Sequence, residues 1–121
     1  MSTARLLIVE DESIISRDIA QQLRHFGYDV VGQAMSAAEC LAIAECEHPH
    51  LVLMDIHIAG PADGIDAALA LRERFSTPCV FLTAYATDDV VARATQARPL
   101  GYLIKPFDQL SLRTTIEIAL N

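Results

Sequence analysis

The chain alternates short, continuously apolar runs with longer segments in which apolar residues recur at helical spacing. The runs are rich in Val, Ile and Leu without polar alternation, which is typical of strands buried on both faces in a parallel sheet. Five parallel strands are therefore predicted. They cover residues 5–9, 29–34, 51–55, 79–83 and 101–104.

An amphipathic segment with helix-start or helix-stop signals follows each run. Gly27 suits the end of the first segment, Ser36 and Glu39 form a capping-box pattern at the start of the second, and Asp108 is a candidate N-cap for the last. Five βα units are thus expected. The predicted helices cover residues 13–26, 36–47, 64–75, 87–97 and, after Asp108, 109–120.

Five βα units with short connections predict one α/β domain over residues 1–121, with a doubly wound, five-stranded parallel sheet and helices on both faces. Ligand sites in such sheets lie beyond the carboxyl ends of the strands, where the winding reverses. Residues at those ends are therefore the candidate site. They are Glu10 and Asp11 after the first strand, Asp55 in the third, Thr83 in the fourth and Lys105 after the fifth.

Carboxylates brought together at one edge repel each other, so a cation is expected between Glu10, Asp11 and Asp55. Mg²⁺ is favoured because it prefers oxygen ligands and is held by few carboxylates together with water and phosphate oxygens. The ammonium of Lys105 and the hydroxyl of Thr83 would help to hold a transferring phosphoryl group. Asp55 is then placed as the nucleophile.

Composition narrows the classes of function. With 9 Lys and Arg against 16 Asp and Glu, the net charge is -7, and no basic cluster suits nucleic acid. No apolar stretch is long enough for a signal peptide core or a membrane span. Cys40, Cys46 and Cys79 form no CxxC pair and are predicted to be buried thiols in a reducing compartment. A cytoplasmic protein with no nucleic-acid or membrane partner is expected.

Four motifs resemble the receiver domain of bacterial two-component response regulators, of the single-domain, chemotaxis-regulator-like type. They are LIVEDE, LVLMDIHI, VFLTAYA and GYLIKPF, in this order at the predicted strand ends. The resemblance implies the flavodoxin-like strand order 2-1-3-4-5. It also implies a phosphoryl-accepting switch of a two-component phosphorelay. Such a domain catalyses its own phosphoryl transfer and slow dephosphorylation, but it is a signalling domain rather than an enzyme.

The resemblance implies a role for each site residue. Asp55 would accept the phosphoryl group from a histidine kinase or a histidine phosphotransfer protein, and Thr83 and Lys105 would bind its oxygens. The implied cofactor is Mg²⁺, with Mn²⁺ as a substitute. Its ligands would be Asp11, Asp55 and the backbone carbonyl of His57, with Glu10 acting through water.

The same resemblance implies the partner surfaces. Tyr102 would be an aromatic switch that follows Thr83, and the Lys105–Pro106 bond would be cis. A kinase would contact Ile14, Pro106 and Phe107. A downstream protein or a second copy would bind the face formed by the fourth helix, the fifth strand and the fifth helix.

Two side chains are expected to shield the phosphoryl group. His57 and Tyr85 each lie two positions beyond a strand-end site residue, so in extended backbone they lean toward the side where the phosphoryl group would sit. Tyr85 would crowd an attacking water, and His57 offers no carboxylate to orient one. Slow self-dephosphorylation is therefore expected.

Two departures from the receiver pattern concern loops. The stretch DIHIAGPADG is one residue longer than usual, beyond His57, and Arg98 and Pro99 stand where Gly-Ala usually ends the fourth helix. Because Pro disfavours α geometry in the preceding residue, that helix is still expected to stop there.

An alternative function and an alternative organisation stay open. A metal-dependent phosphohydrolase would also form an aspartyl phosphate. Such an enzyme requires a second acid at the position of His57, together with a cap domain or a substrate pocket. Only Asn121 follows the last predicted helix. We therefore expect a stand-alone receiver without an output domain, with the receiver of a larger regulator or hybrid kinase as the alternative.

Overall fold

The computed structural model describes residues 3–84 and 87–121, and within these ranges it contains five strands and five helices. The strand bounds agree with the apolar runs. The strands are β1 (Arg5–Val9), β2 (Asp29–Ala34), β3 (Leu51–Asp55), β4 (Cys79–Thr83) and β5 (Gly101–Ile104). The helices are α1 (Ser13–His25), α2 (Ala37–Glu47), α3 (Gly64–Phe75), α4 (Asp88–Gln96) and α5 (Gln109–Leu120).

Helix ends follow the predicted caps to within one residue. The Ser36 side chain accepts a hydrogen bond from the Glu39 N–H at 3.2 Å, and Asp108 accepts one from Ser111 at 2.7 Å. The second arm of the predicted capping box is wrong, because the Glu39 carboxylate accepts the N–H of Met35 instead of that of Ser36. Gly27 has φ +95°, a left-handed conformation that favours glycine after a helix.

All neighbouring strands pair in parallel, in the order β2-β1-β3-β4-β5. The predicted doubly wound α/β fold is confirmed. The order makes β1, β3, β4 and β5 consecutive neighbours, so the residues that end these four strands meet along one edge. Asp55 pairs with Leu82, and Thr83 pairs with Ile104.

Apolar side chains form one core on each face of the sheet. One contains Phe81 and Met54 from the strands and is covered by α2, α3 and α4. The other contains Ile8 and Leu53 and is covered by α1 and α5. Burial on both faces explains why the strands lack a polar alternation.

The thiols divide into two environments. Cys40 and Cys79 are buried as expected, and burial raises the pKa of each to about 12. The prediction is wrong for Cys46, which is exposed because it lies off the α2 stripe that contains Cys40 and Ala44. The longest helix, α1, has 13 residues, and the described part of the chain contains no helix suited by length and apolarity to span a bilayer.

The structure accommodates both departures from the receiver pattern. In the long β3–α3 loop, Ile56 and Ile58 are buried, and Ala59 forms a parallel bridge with Ser36. After α4, Arg98 adopts φ +49° before Pro99. The proline disfavours right-handed helical geometry at Arg98. This arginine has a left-handed conformation, which usually favours glycine.

Candidate functional site

Three acidic side chains cluster at the carboxyl edge of the sheet. One carboxylate oxygen from each of Glu10, Asp11 and Asp55 lies within 4.8 Å of the other two. Glu10 is 1% exposed and Asp55 is 5% exposed, while Asp11 is half-buried. The sequence prediction that these carboxylates converge is therefore met.

Lys105 lies between two of these acids. Its Nζ donates to Glu10 Oε2 and to Asp55 Oδ2, each at 2.8 Å. Burial acts to lower the Lys105 pKa, but the two carboxylates outweigh it and raise the pKa above its ordinary value. The side chain is therefore an ammonium at neutral pH, fixed beside the carboxylate of Asp55.

Glu10 is buried beside a second carboxylate, which disfavours the ionised form of its side chain. Burial, together with the hydrogen bond and the charge of Asp55, raises the Glu10 pKa to about 7, although Lys105 acts in the opposite direction. One ammonium thus does not fully compensate this pair of buried carboxylates. A second cation beside them would stabilise the ionised form of Glu10.

The backbone around Asp55 is held by hydrogen bonds and by the start of α3. The His57 N–H donates to Asp55 Oδ1 at 3.0 Å, and the Gly64 N–H donates to the carbonyl of Ile56 at 2.8 Å. A Cβ at Gly64 would lie 2.1 Å from the carbonyl oxygen of Asp55. Only a glycine allows α3 to begin this close to Asp55, so Gly64 helps to fix the position of the carboxylate.

Thr83 lies at the same edge, fully buried at the end of β4. Its carbonyl accepts the Lys105 N–H at 2.8 Å, which places the backbone of Lys105 directly beside it. The Lys105–Pro106 peptide bond is cis. The five strand-end residues named from the sequence therefore lie at one edge of the sheet.

The family model of the response regulator receiver domain matches residues 6–117. The chain belongs to this family. Among curated receiver proteins, the transcriptional regulatory protein PdtaR of Mycobacterium tuberculosis is 42% identical over 117 residues, which cover 97% of this chain and 57% of that protein. The phyllosphere-induced regulator PhyR of Methylorubrum extorquens is 33% identical over 116 residues, with coverage of 95% and 43%. The chain spans about half the length of these relatives.

Solved receiver structures give the same result. The signal receiver domain of a modulated diguanylate cyclase from Desulfovibrio desulfuricans G20 matches with a TM-score of 0.92 at 32% identity, covering 98% of this chain and 94% of that one. A CheY-like receiver domain protein from Methanospirillum hungatei JF-1 matches with a TM-score of 0.89 at 30% identity, with the same coverage. The predicted family and strand order are confirmed.

The acidic cluster of this receiver domain suits a hard cation. Its donor atoms are carboxylate oxygens, which Mg²⁺ prefers, and they lie close enough together to share one ion. Burial and the neighbouring Asp55 raise the pKa of Glu10, so a bound cation would stabilise its ionised form. These residues therefore fit the magnesium ion that the family resemblance implies.

The aromatic residue predicted as a switch lies on β5, which is an edge strand of the receiver sheet. Tyr102 is half-buried on β5, and its ring meets that of Phe81 edge-on, with 6.3 Å between the centroids. It lines a groove of about 630 Å³ between α4 and β5, together with apolar residues including Val91 and Ile104. The ring thus contacts both the core and an open surface.

Two of the three predicted kinase contacts line a second groove, of about 380 Å³, beside Lys105. Pro106 and Phe107 line it, as do Asp18 and Gln22 of α1, which the sequence reasoning did not identify. Their i, i+4 spacing on the helix was the available signal, since such residues share one face. Ile14 is 82% exposed nearby on α1 but does not line the groove.

Of the two residues expected to shield a phosphoryl group, the structure describes His57 alone. His57 is exposed at the edge of the site, and its backbone N–H binds Asp55. Tyr85 lies outside the described residues. The shielding role stays a prediction for both.

Proposed function

We propose that this receiver domain accepts a phosphoryl group on Asp55 from a histidine kinase or a histidine phosphotransfer protein in the cytoplasm. The observation that supports this most strongly is the buried Asp55 carboxylate, with the Lys105 ammonium 2.8 Å from Oδ2. A buried carboxylate beside a fixed ammonium provides a nucleophile together with a positive charge for the phosphoryl oxygens.

Each neighbouring residue has a distinct part in the transfer. A carboxylate oxygen of Asp55 forms the new bond to phosphorus as the bond from phosphorus to the donor nitrogen breaks, and the imidazole leaves with the bonding electrons. Lys105 neutralises charge on the transferred group, and the Thr83 hydroxyl donates to one of its oxygens. The His57 N–H, 3.0 Å from Asp55 Oδ1, orients the carboxylate.

The metal is assigned to the acidic cluster. Asp11, Asp55 and the His57 carbonyl would hold Mg²⁺, or Mn²⁺ in its place, and Glu10 would bind it through water. When bound, the ion supplies positive charge that offsets the phosphoryl and carboxylate charges. The uncompensated burial of Glu10 supports this assignment.

Two surfaces are proposed for partners. The donor protein would contact Ile14, which is exposed on α1, together with Pro106 and Phe107, which line the groove beside Lys105. A downstream protein or a second copy would bind α4, β5 and α5. Tyr102 would respond to phosphorylation there, since it lines the open groove between α4 and β5.

Labelling with acetyl phosphate tests the assignment. Wild type, Asp55→Asn and Asp29→Asn are each incubated with acetyl phosphate and Mg²⁺, and the mass of the intact protein is followed. Asp29 is the matched control because it is an exposed aspartate at the start of β2, at the opposite edge of the sheet. We expect one phosphoryl group on the wild type and on Asp29→Asn, and none on Asp55→Asn.

Two results would contradict the proposal. Labelling of Asp55→Asn to the wild-type extent would place the acceptor elsewhere. Release of many equivalents of phosphate per protein within the time needed for labelling would favour the phosphohydrolase, because a switch holds about one equivalent and dephosphorylates slowly.

A further inference from the structure

Helix α4 is attached to the domain by little apolar packing. Of its nine residues Ala94 is buried, and Val90 packs against the core while partly exposed. Val91 is 43% exposed. Because most helix stability in proteins comes from burial of an apolar face, a polar contact contributes more to the position of α4 than it would for a well-buried helix.

Such a contact joins α4 to the start of α3. Arg93 binds both carboxylate oxygens of Asp63, with distances of 2.8 Å from NH1 to Oδ2 and 3.4 Å from NH2 to Oδ1. Its NH2 also lies 3.5 Å from Asp66 Oδ1. The two-point geometry fixes the guanidinium more firmly than a single hydrogen bond would. This contact is called the Arg93 tether below.

Asp63 is itself fixed to α3. Its Oδ1 accepts the Asp66 N–H at 3.0 Å, and Asp66 Oδ2 accepts the Asp63 N–H at 3.1 Å, a reciprocal capping box. Burial acts to raise the Asp63 pKa, but the hydrogen bonds from Arg93 and Asp66 lower it overall, so the carboxylate is ionised at neutral pH. The tether is therefore a charged contact between two ordered elements.

The next residue connects the tether to the proposed phosphorylation site. Gly64 begins α3 directly against the backbone of Asp55 and Ile56, with no space for a Cβ. Since Asp63 and Gly64 are adjacent, a displacement of the backbone at Asp55 displaces Asp63. Arg93 then keeps its hydrogen bonds with the least side-chain rearrangement when α4 moves as well.

We propose that Arg93 is a positioning residue that couples α4 to the β3–α3 loop, so that phosphorylation of Asp55 reaches α4 through Asp63. This inference rests on the proposed function, and it adds a second connection to the predicted one from Thr83 to Tyr102. Both connections end at the groove between α4 and β5, which Tyr102 lines.

Hydrogen exchange of α4, measured by mass spectrometry with and without acetyl phosphate and Mg²⁺, tests the coupling. The variants are Arg93→Gln, Asp63→Asn, the double variant and Arg93→Lys. Asn caps a helix as well as Asp does, so Asp63→Asn removes the charge but keeps the cap. Arg113→Gln is the matched control, because Arg113 pairs with Glu117 at a similar exposure, and the contacts that it makes with Glu117 and the Phe26 ring involve neither α3 nor α4.

In the unlabelled protein, we expect Arg93→Gln and Asp63→Asn each to speed α4 exchange roughly two- to five-fold, the range that corresponds to an exposed ion pair. The double variant should add nothing further, because both changes break the same contact. Labelling should change α4 exchange in the wild type and in Arg113→Gln. That response should be largely lost in Arg93→Gln and partly restored in Arg93→Lys, although all variants accept the phosphoryl group to the same extent.

Three results would overturn the coupling: no response of α4 to labelling in the wild type, a full response in Arg93→Gln, or an equal loss in Arg113→Gln. Failure of the proposed function is distinguishable, because intact mass would show no label on the wild type. In that case, unchanged α4 exchange in unlabelled Arg93→Gln would show that the Arg93 tether does not hold α4 either. The expected faster exchange would instead show that the tether holds α4 but does not transmit phosphorylation.

Discussion

Replacing Glu10 by Gln tests whether a buried charge destabilises the metal-free domain. Glu10 is 1% exposed, and its pKa is raised to about 7 by burial and by Asp55 against the opposing effect of Lys105. Gln has nearly the same shape and keeps an oxygen acceptor for the Lys105 ammonium, but it does not ionise. The substitution therefore removes the charge with little change in packing.

The raised pKa determines the sign of the effect. Between the ordinary value of 4.5 and about 7, the folded protein holds a proton on Glu10 that the unfolded chain has released, so wild-type stability falls as pH rises through this window. One pKa unit corresponds to about 1.4 kcal/mol, so the loss above pH 7 is on the order of 3 kcal/mol. Below the window both states are protonated and the contribution disappears.

Urea denaturation followed by circular dichroism, with EDTA present, measures the effect. From pH 5 to pH 8, the stability of Glu10→Gln relative to the wild type should increase by roughly 2–3 kcal/mol. Glu12→Gln is the matched control, because Glu12 is an exposed acid two residues away and its variant should show little such change. Saturating Mg²⁺ should reduce the effect. A relative stability of Glu10→Gln that is equal at both pH values would refute the reasoning.

Three further predictions concern the same edge of the sheet. Asp11→Ala should bind Mg²⁺ more weakly in titration calorimetry and melt at a higher temperature than the wild type without metal, because one repelling carboxylate is lost; an equal or lower melting temperature would contradict this. Gly64→Ala should lose about 1–3 kcal/mol or more in urea denaturation, since the new Cβ would meet the backbone of Asp55 rather than a movable side chain; wild-type stability would show that α3 shifts freely. Ile14→Ala should slow phosphotransfer from a cognate kinase while labelling by acetyl phosphate is unchanged, because Ile14 is 82% exposed; slowing of both reactions would assign Ile14 to the fold.

The architecture could be predicted because local signals and burial agree along the chain. Strands that are covered on both faces leave continuous apolar runs, so the ends of β3 and β4 fall where the runs end. Caps such as Asp108 mark the helix starts to one residue. The strand order was implied by the motifs rather than by periodicity, since many orders are compatible with five βα units.

Contacts between distant elements could not be predicted in the same way. The sequence placed Lys105 and Glu10 at one edge, but not the hydrogen bond between them, which depends on the side-chain conformation of a long lysine. The Arg93 tether joins residues 30 positions apart, and an arginine in an amphipathic helix is ordinarily a solvated charge. Gly64 is the first residue of the predicted third helix, and only the backbone packing shows that it excludes a Cβ.

The Lys105 bridge has a consequence for synthesis of the protein. Its ammonium binds Glu10, 95 residues earlier, and Asp55, 50 residues earlier, so the fifth strand must join the sheet before the charges are balanced. Contacts this distant along the chain form late, after the cost of loop closure has been met. A growing polypeptide on the ribosome therefore exposes Asp55 long before Lys105 has emerged from the exit tunnel. On the proposed function, a nascent chain that still lacks Lys105 would be a poor substrate for a phosphoryl donor, so signalling competence would follow the addition of β5 to the sheet.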